Sequence, residues 1–382
     1  MNDRGTRALW PHAQRRFRFR ASLLGVLAAV AVGFGLAARA PVASGAPAQL
    51  NPLAYFPPPT DGDPLQHVRW YVFGADSPAG RAAVAYSAAN PTWAAALDTL
   101  AQTPGSLSHR FWMWNEPIGS VARIVRAYLD QAQRQQPGTT VALNTYSLIH
   151  GSCLDPASIR RHFERWVTQL ARGIGTHRVV LYLEEDSLLE THCLTPAQVR
   201  IRERELAFAV RQLSHDPHTL VYLDAGAPDA YQTPRQMAAL LRASDVAQAA
   251  GFAVNATHHV WTTAAIWYGQ RIARILGGEH FIVNTSSNGQ GPYLNRHPRT
   301  QGVELLCNPP GMGLGPLTWN TGYRYLDALL WYNNPGFSDG SCGRGNPPTG
   351  TFWPAYAVAL VQHRNPQITG PFYHLLRSRT DT

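Results

Sequence analysis

The chain contains no lysine: every one of its 33 basic side chains other than histidine is arginine, a bias that points to codon usage rather than function. Cysteine is scarce too. Cys153, Cys193, Cys307 and Cys342 are far apart, and the close Cys pairs of a zinc ribbon are missing, which excludes that kind of metal site. No nucleotide or cofactor motif, internal repeat or low-complexity stretch is present, so neither a cofactor nor a metal is expected. A positive surface is lacking as well. The formal charge is +9, but residues 1–45 carry seven Arg against one Asp, and little excess is left for the rest of the chain. That remainder is too small and too dispersed for a nucleic-acid surface.

The first residues are distinctive. Arg15, Arg16, Arg18 and Arg20 precede the apolar run 21–38, and small residues (APVASGAPA) follow it. This order predicts a secretory signal peptide over residues 1–46, with an uncleaved anchor as the alternative, and places the remaining chain outside the cytoplasm. Four cysteines in an exported segment fit two disulfides. Residues 47–66 are rich in Pro and read as a lead-in, 67–365 as one domain, and 366–382 as a tail.

Within the domain the pattern alternates. Strands are expected at His67–Phe73, Arg110–Asn115, Thr140–Asn144, His177–Leu183, Thr219–Asp224, Gly251–Asn255 and His280–Asn284, with a last short one at Trp331–Tyr332. Helices are expected at Ser77–Ser87, Pro91–Gln102, Ser120–Gln135, Pro156–Gly173, Pro196–Ser214, Pro234–Ala249, Thr262–Leu276 and Thr321–Leu330. Roughly eight βα units predict an α/β fold with a parallel sheet closed, or nearly closed, into a barrel. Asn144, Asp186, Asp224, Asn255, Asn284 and Asp339 stand at or beyond strand ends, where a curled sheet would gather them on one rim; capping the next helix is the alternative role.

The most telling stretch is Val179–Leu189, VVLYLEEDSLL, a buried-strand pattern that runs into three carboxylates. Strand alternation predicts Glu184 and Asp186 on one face and Glu185 on the other. Like charges beside a dry wall raise the pKa of one of them, which suits a general acid.

Taken together, these residues resemble glycoside hydrolase family 6, the cellulases and cellobiohydrolases. YLEEDSL is similar to that family's E-P-D-S-L. VYLDAG (221–226) and GFAVN (251–255) are similar to its next two strand ends. FIVNTSSNGQGP (281–292) resembles its D-T-S-R-N-G-x-G-P run, and CNPPGMGLG (307–315) resembles C-N-P-P-G-R-G-L-G. Thr321–Cys342 resembles its T-G, D-A, W-I-K-x-P-G-E-S-D-G-x-C tail, so that the likeness covers roughly Val68–Leu360. The resemblance implies a distorted, incomplete parallel β/α barrel of the family 6 type. It also implies inverting cleavage of a β-1,4-glucan or related polysaccharide, without an obligate protein partner and as a monomer. Asp186 then matches the general acid and Asp339 the base, Glu184 and Asp224 match supporting carboxylates, and the disulfides are Cys153–Cys193 and Cys307–Cys342.

The chain departs from the family pattern at several charged positions. Ser152 stands in place of a supporting Asp, and His150 lies nearby. Asn284 and Ser287 replace Asp and Arg, Met312 replaces Arg, Asn333 replaces a cleft Lys, Phe337 replaces Glu, and Glu185 replaces Pro. A non-catalytic glycan binder on the same scaffold is therefore the alternative reading, and a structural protein with a vestigial cleft a third. Among the 11 tryptophans, Trp331, then Trp261 and Trp319, are expected to stack on sugar rings, with Trp112, Trp114 and Trp267 as further candidates. Asn255, Asn284, Asn308 and Asn333 are expected to contact sugar, and His258 and His259 to reach the cleft without forming a metal site.

Overall fold

The computed structural model describes residues 62–106, 108–148, 156–292 and 306–370. The signal segment, Ser152, His150, Cys153 with its implied pairing to Cys193, and residues 371–382 lie outside the described residues. Two short helices, α1 (Pro78–Tyr86) and α2 (Pro91–Gln102), come first, and an alternating β/α series follows. It comprises β1 (His109–Phe111), α3 (Ile118–Gln135), β2 (Val141–Thr145), α4 (Pro156–Ile174), β3 (Val179–Leu183) and α5 (Pro196–Leu213). β4 (Thr219–Asp224), α6 (Pro234–Ala243), β5 (Gly251–Val254), α7 (Thr262–Leu276), β6 (Phe281–Asn284), β7 (Leu326–Leu330) and α8 (Pro354–Gln362) complete it.

Local chemistry accounts for these elements. Each of α5 and α6 opens on a threonine that accepts from the backbone N–H three residues on, where a glutamine answers in a capping box; proline occupies the first turn. α3 buries Val121, Val125, Leu129 and Ala132, one stripe at helical spacing. β3 is covered on both faces. Val179, Leu181 and Leu183 join the core between sheet and helices, whereas Val180 and Tyr182 join an inner cluster with Tyr222, Ile282, Leu330 and Tyr332.

The seven strands are all parallel and lie in sequential order, β1 to β7. The sheet curls into an open half-barrel, and Tyr182 and Tyr332 stack across its interior at 4.2 Å. Among the described residues no ladder joins β1 to β7. Instead, Ser108 Oγ donates to the Tyr332 carbonyl at 2.7 Å and Ser108 N to Asn334 Oδ1 at 2.9 Å. The strand expected at His67–Phe73 is reduced to a single bridge between Trp70 and Thr140.

The expected helix at Thr321–Leu330 is also corrected: residues 326–330 form β7. Leu326 faces Phe281 but Ala328 faces Ile282, so Asp327 is an extra residue in a bulge. Leu326 and Leu329 therefore lie on the helix-facing side three residues apart, a spacing that imitates a helix. Among the described residues no helix is long and apolar enough to cross a membrane.

Candidate active site

The strand ends open onto a cleft of about 420 Å³ whose wall includes Arg110, Tyr146, Glu185, Asp186, Thr257, His258, Asn333 and Asp339. A second cavity of about 350 Å³ holds Trp112, Asn115, Phe337 and Gly350, and shares Arg110, Tyr146 and Thr349 with the first. These three residues therefore border both chambers.

Asp186 sits in the turn after β3, in left-handed backbone with φ 63°, as is Glu184 with φ 55°. Two such residues break strand alternation. The expectation that Glu184 and Asp186 share a face is accordingly reversed. Glu184 turns inward, where its fully buried carboxylate accepts from the backbone N–H of Ser147 and Leu148, both at 2.8 Å. Glu185 and Asp186 turn to the cleft.

Asp186 keeps part of its surface open to the cleft. Its N–H donates to Asp224 Oδ2 at 3.0 Å, and its Oδ1 accepts from the Thr257 hydroxyl at 2.7 Å. Burial pushes its carboxyl above the ordinary range, while Thr257, His258 and Arg110 pull it back. Asp224 is driven further. Burial pushes its carboxyl well above the ordinary carboxylate range, and the adjacent Asp186 adds to the push. Behind them, His258 Nδ1 lies 2.8 Å from Asp229. Burial opposes charge on this imidazole, but Asp229, reinforced by Asp186 and Asp224, outweighs it and holds its pKa above the usual value.

Asp339 faces the same cleft from the loop after β7. It is tied to Asn308 in both directions: Asn308 N donates to its Oδ2 at 3.2 Å, and its own N–H donates to Asn308 Oδ1 at 2.8 Å. The Cys307–Cys342 disulfide, with its Cα atoms 6.0 Å apart, closes the base of this loop. Burial pushes the Asp339 carboxyl up to about 6, though the side chain stays open enough to the cleft for solvent to moderate the push.

Several expected sugar contacts are placed elsewhere. Trp331 is fully buried among α2, α8 and Leu314, and its indole N–H donates to the Gly315 carbonyl. Trp319 packs against Trp70, and Trp261 against Gly291 and Gly370; neither lines the described cleft. Asn255 and Asn284 are buried struts that exchange hydrogen bonds between side chain and backbone, so they brace two strand ends. Asn308 braces Asp339, and of the four asparagines only Asn333 lines the cleft. His259 bonds Ser287 and the Leu306 carbonyl instead of facing the cleft. Trp114 and Trp267 lie outside both chambers.

Tyr146 and Tyr231 are aromatic surfaces of the cleft, and Trp112 lines the second chamber; Tyr231 is 56% exposed and stacked on His192 at 3.6 Å. Sequence reasoning passed over Arg110, Tyr146, Thr257, Asp229 and Tyr231. The one visible signal was Arg110, a charge opening the apolar run RFWMWN. Glu190, His192 and Cys193 bring one ligand atom each within 4.8 Å, but the Cys193 sulfur is in a disulfide and offers no thiolate.

Two buried carboxylates, Glu185 and Glu205, and the half-buried Asp63 are pushed up to about 7 by desolvation, from ordinary values of 4.5, 4.5 and 3.8. Between the ordinary and the raised values the folded state holds more protons than the unfolded chain, so stability falls as pH rises through that window. The melting temperature at about pH 5 is expected to exceed that at about pH 8. A flat or rising dependence would show that these groups are not held protonated.

An open parallel half-barrel whose carboxyl rim gathers several carboxylates on one cleft, Asp186 and Asp339 among them, fits the class of enzymes that cleave glycosidic bonds. Residues 66–364 match the sequence profile described as glycosyl hydrolases family 6. Endoglucanase 1 of Streptomyces halstedii is 33% identical over 325 residues, which are 81% of this chain and 94% of that protein. Endoglucanase A of Thermobispora bispora is 29% identical over 272 residues, but only 56% of its length is matched. The solved endoglucanase Cel6 of Mycobacterium tuberculosis, bound to methyl-cellobiosyl-4-deoxy-4-thio-β-D-cellobioside, is 32% identical with a TM-score of 0.70; the match covers 79% of this chain and 99% of that one. The chain belongs to family 6 of the glycosyl hydrolases.

Proposed function

We propose that the protein is an exported, inverting cellulase that cleaves β-1,4-glucan, with Asp186 as general acid and Asp339 as base. The observation that carries this reading is that both carboxylates face one cleft while Asp186 is seated on the buried Asp224. A protonated Asp186 donates to the leaving glycosidic oxygen. Asp339, ionised, takes the proton of a water that attacks the anomeric carbon from the opposite face. Trp112, Tyr146 and Tyr231 offer planes for the C–H faces of successive glucose rings. The named activity of the two relatives at 32–33% identity supports internal cleavage. Export rests on the basic, apolar and small-residue order of the first 46 residues.

The test is reducing-sugar release from soluble β-1,4-glucans, with mannan and xylan as controls. Release from the glucans with an early fall in viscosity is the expected result, its acidic limb set by Asp339 below about pH 6, since solvent moderates the push on its carboxyl. No release from any polymer, with heat of binding to cello-oligosaccharides by calorimetry, would replace the enzyme reading with that of a glycan binder.

A further inference from the structure

The turn after β3 places a third carboxylate in the cleft, at a position where the family pattern carries proline. Glu185 is 2% exposed and fully engaged: Oε2 lies 2.8 Å from Arg110 Nη2, and Oε1 accepts from Asn144 Nδ2. The same Arg110 nitrogen also donates to Asn333 Oδ1 at 2.6 Å. Two of the chain's departures, at 185 and 333, thus meet on one guanidinium. The sheet makes this meeting local, because Arg110 on β1 pairs in register with Asn144 on β2.

Arg110 is well placed to act on the chemistry. Among the described residues lining the cleft it is the only arginine, and it borders both chambers beside Tyr146, whose ring lies 5.8 Å from its guanidinium carbon. Its Nε is buried without a hydrogen-bond partner, which leaves a donor uncommitted at the junction. Its charge favours the ionised form of Asp186, Glu185 and Asp339 alike.

We infer that Glu185 is a positioning residue for glycan cleavage: it holds Arg110 between the two chambers as the shared counter-charge of Asp186 and Asp339. This rests on the catalytic reading above. Glu185 fixes the direction of Arg110, and where it is ionised, above about pH 7, it also partly neutralises that charge. Without Glu185, its whole charge acts on the two catalytic carboxylates. Without Arg110, three acids face one another across a low-dielectric cleft.

The two single substitutions therefore move the reaction in opposite directions. In Arg110→Met, both limbs of the kcat/KM pH profile on a soluble β-1,4-glucan oligomer move to higher pH by about one unit, the low end of what a nearby opposite charge produces. In Glu185→Gln, which keeps the shape, the limb above about pH 7, where Glu185 is ionised, moves to lower pH. Arg110→Lys restores the charge and returns the profile toward wild type, with a lower kcat from the lost fork geometry. Profiles that superimpose on an active wild type, with any loss confined to melting temperature, would overturn the inference and leave the catalytic reading intact. A wild type that releases no sugar would overturn both.

Discussion

If the proposed assignment holds, Asp186→Asn is expected to lower kcat on soluble β-1,4-glucan by about 10²–10⁴-fold with KM nearly unchanged, the range for loss of a general acid. The substitution is close to isosteric. The backbone N–H that donates to Asp224 and the oxygen that accepts from Thr257 both survive, so the turn with its left-handed backbone is retained. What disappears is the transferable proton. Burial raises the Asp186 carboxyl above the ordinary range, which favours the proton it would donate, and an amide supplies no equivalent donor at any pH. Initial rates measured across pH, with circular dichroism to confirm the fold, decide the matter. A variant that retains more than about a tenth of wild-type kcat would move the acid role to another carboxyl of the cleft.

The second large effect is on stability. Arg202→Met is expected to destabilise the protein by about 3–5 kcal/mol, because it leaves buried charge without its partner. Arg202 is 1% exposed, and its guanidinium is fully engaged. Nε meets Glu205 at 3.1 Å, Nη1 donates to the Ser187 carbonyl at 3.1 Å, and Nη2 donates to the Leu148 carbonyl at 3.2 Å. One side chain of α5 thus ties the turn carrying Asp186 to the loop after β2, and Glu184 ties the same loop from beneath. Burial already pushes Glu205 up to about 7, so without Arg202 it takes up a proton and part of the loss is recovered at acidic pH. The urea midpoint reads the effect. A shift corresponding to under about 1 kcal/mol would mean that the brace is dispensable.

The corrections follow from physics that a linear pattern does not carry. The three acids after β3 have no intrinsic mark that separates Glu184 from Glu185. Backbone at φ 55° and 63° rotates the acids away from strand alternation, and only the packing of Ser147, Leu148 and Asp224 selects that backbone. β7 was hidden by its bulge at Asp327, whose carboxylate accepts from Tyr222 and meets His280; the extra residue shifts the side-chain period from two towards three. Trp331 resembled a sugar platform because tryptophan serves both roles, and burial against α8 is a tertiary fact.

By itself the sequence determined the α/β register, the parallel curled sheet and the presence of Asp186 and Asp339 in the cleft. Apolar runs, caps and proline starts are local signals, and the spacing of motifs along a chain survives without coordinates. Which polar groups face the cleft was decided only in three dimensions. Glu185 and Arg110 are 75 residues apart in sequence, yet the register of β1 with β2 and the turn after β3 bring them together. Whether a carboxylate serves as acid, base, strut or counter-charge depends on its burial and its neighbours, and those are properties of the folded chain.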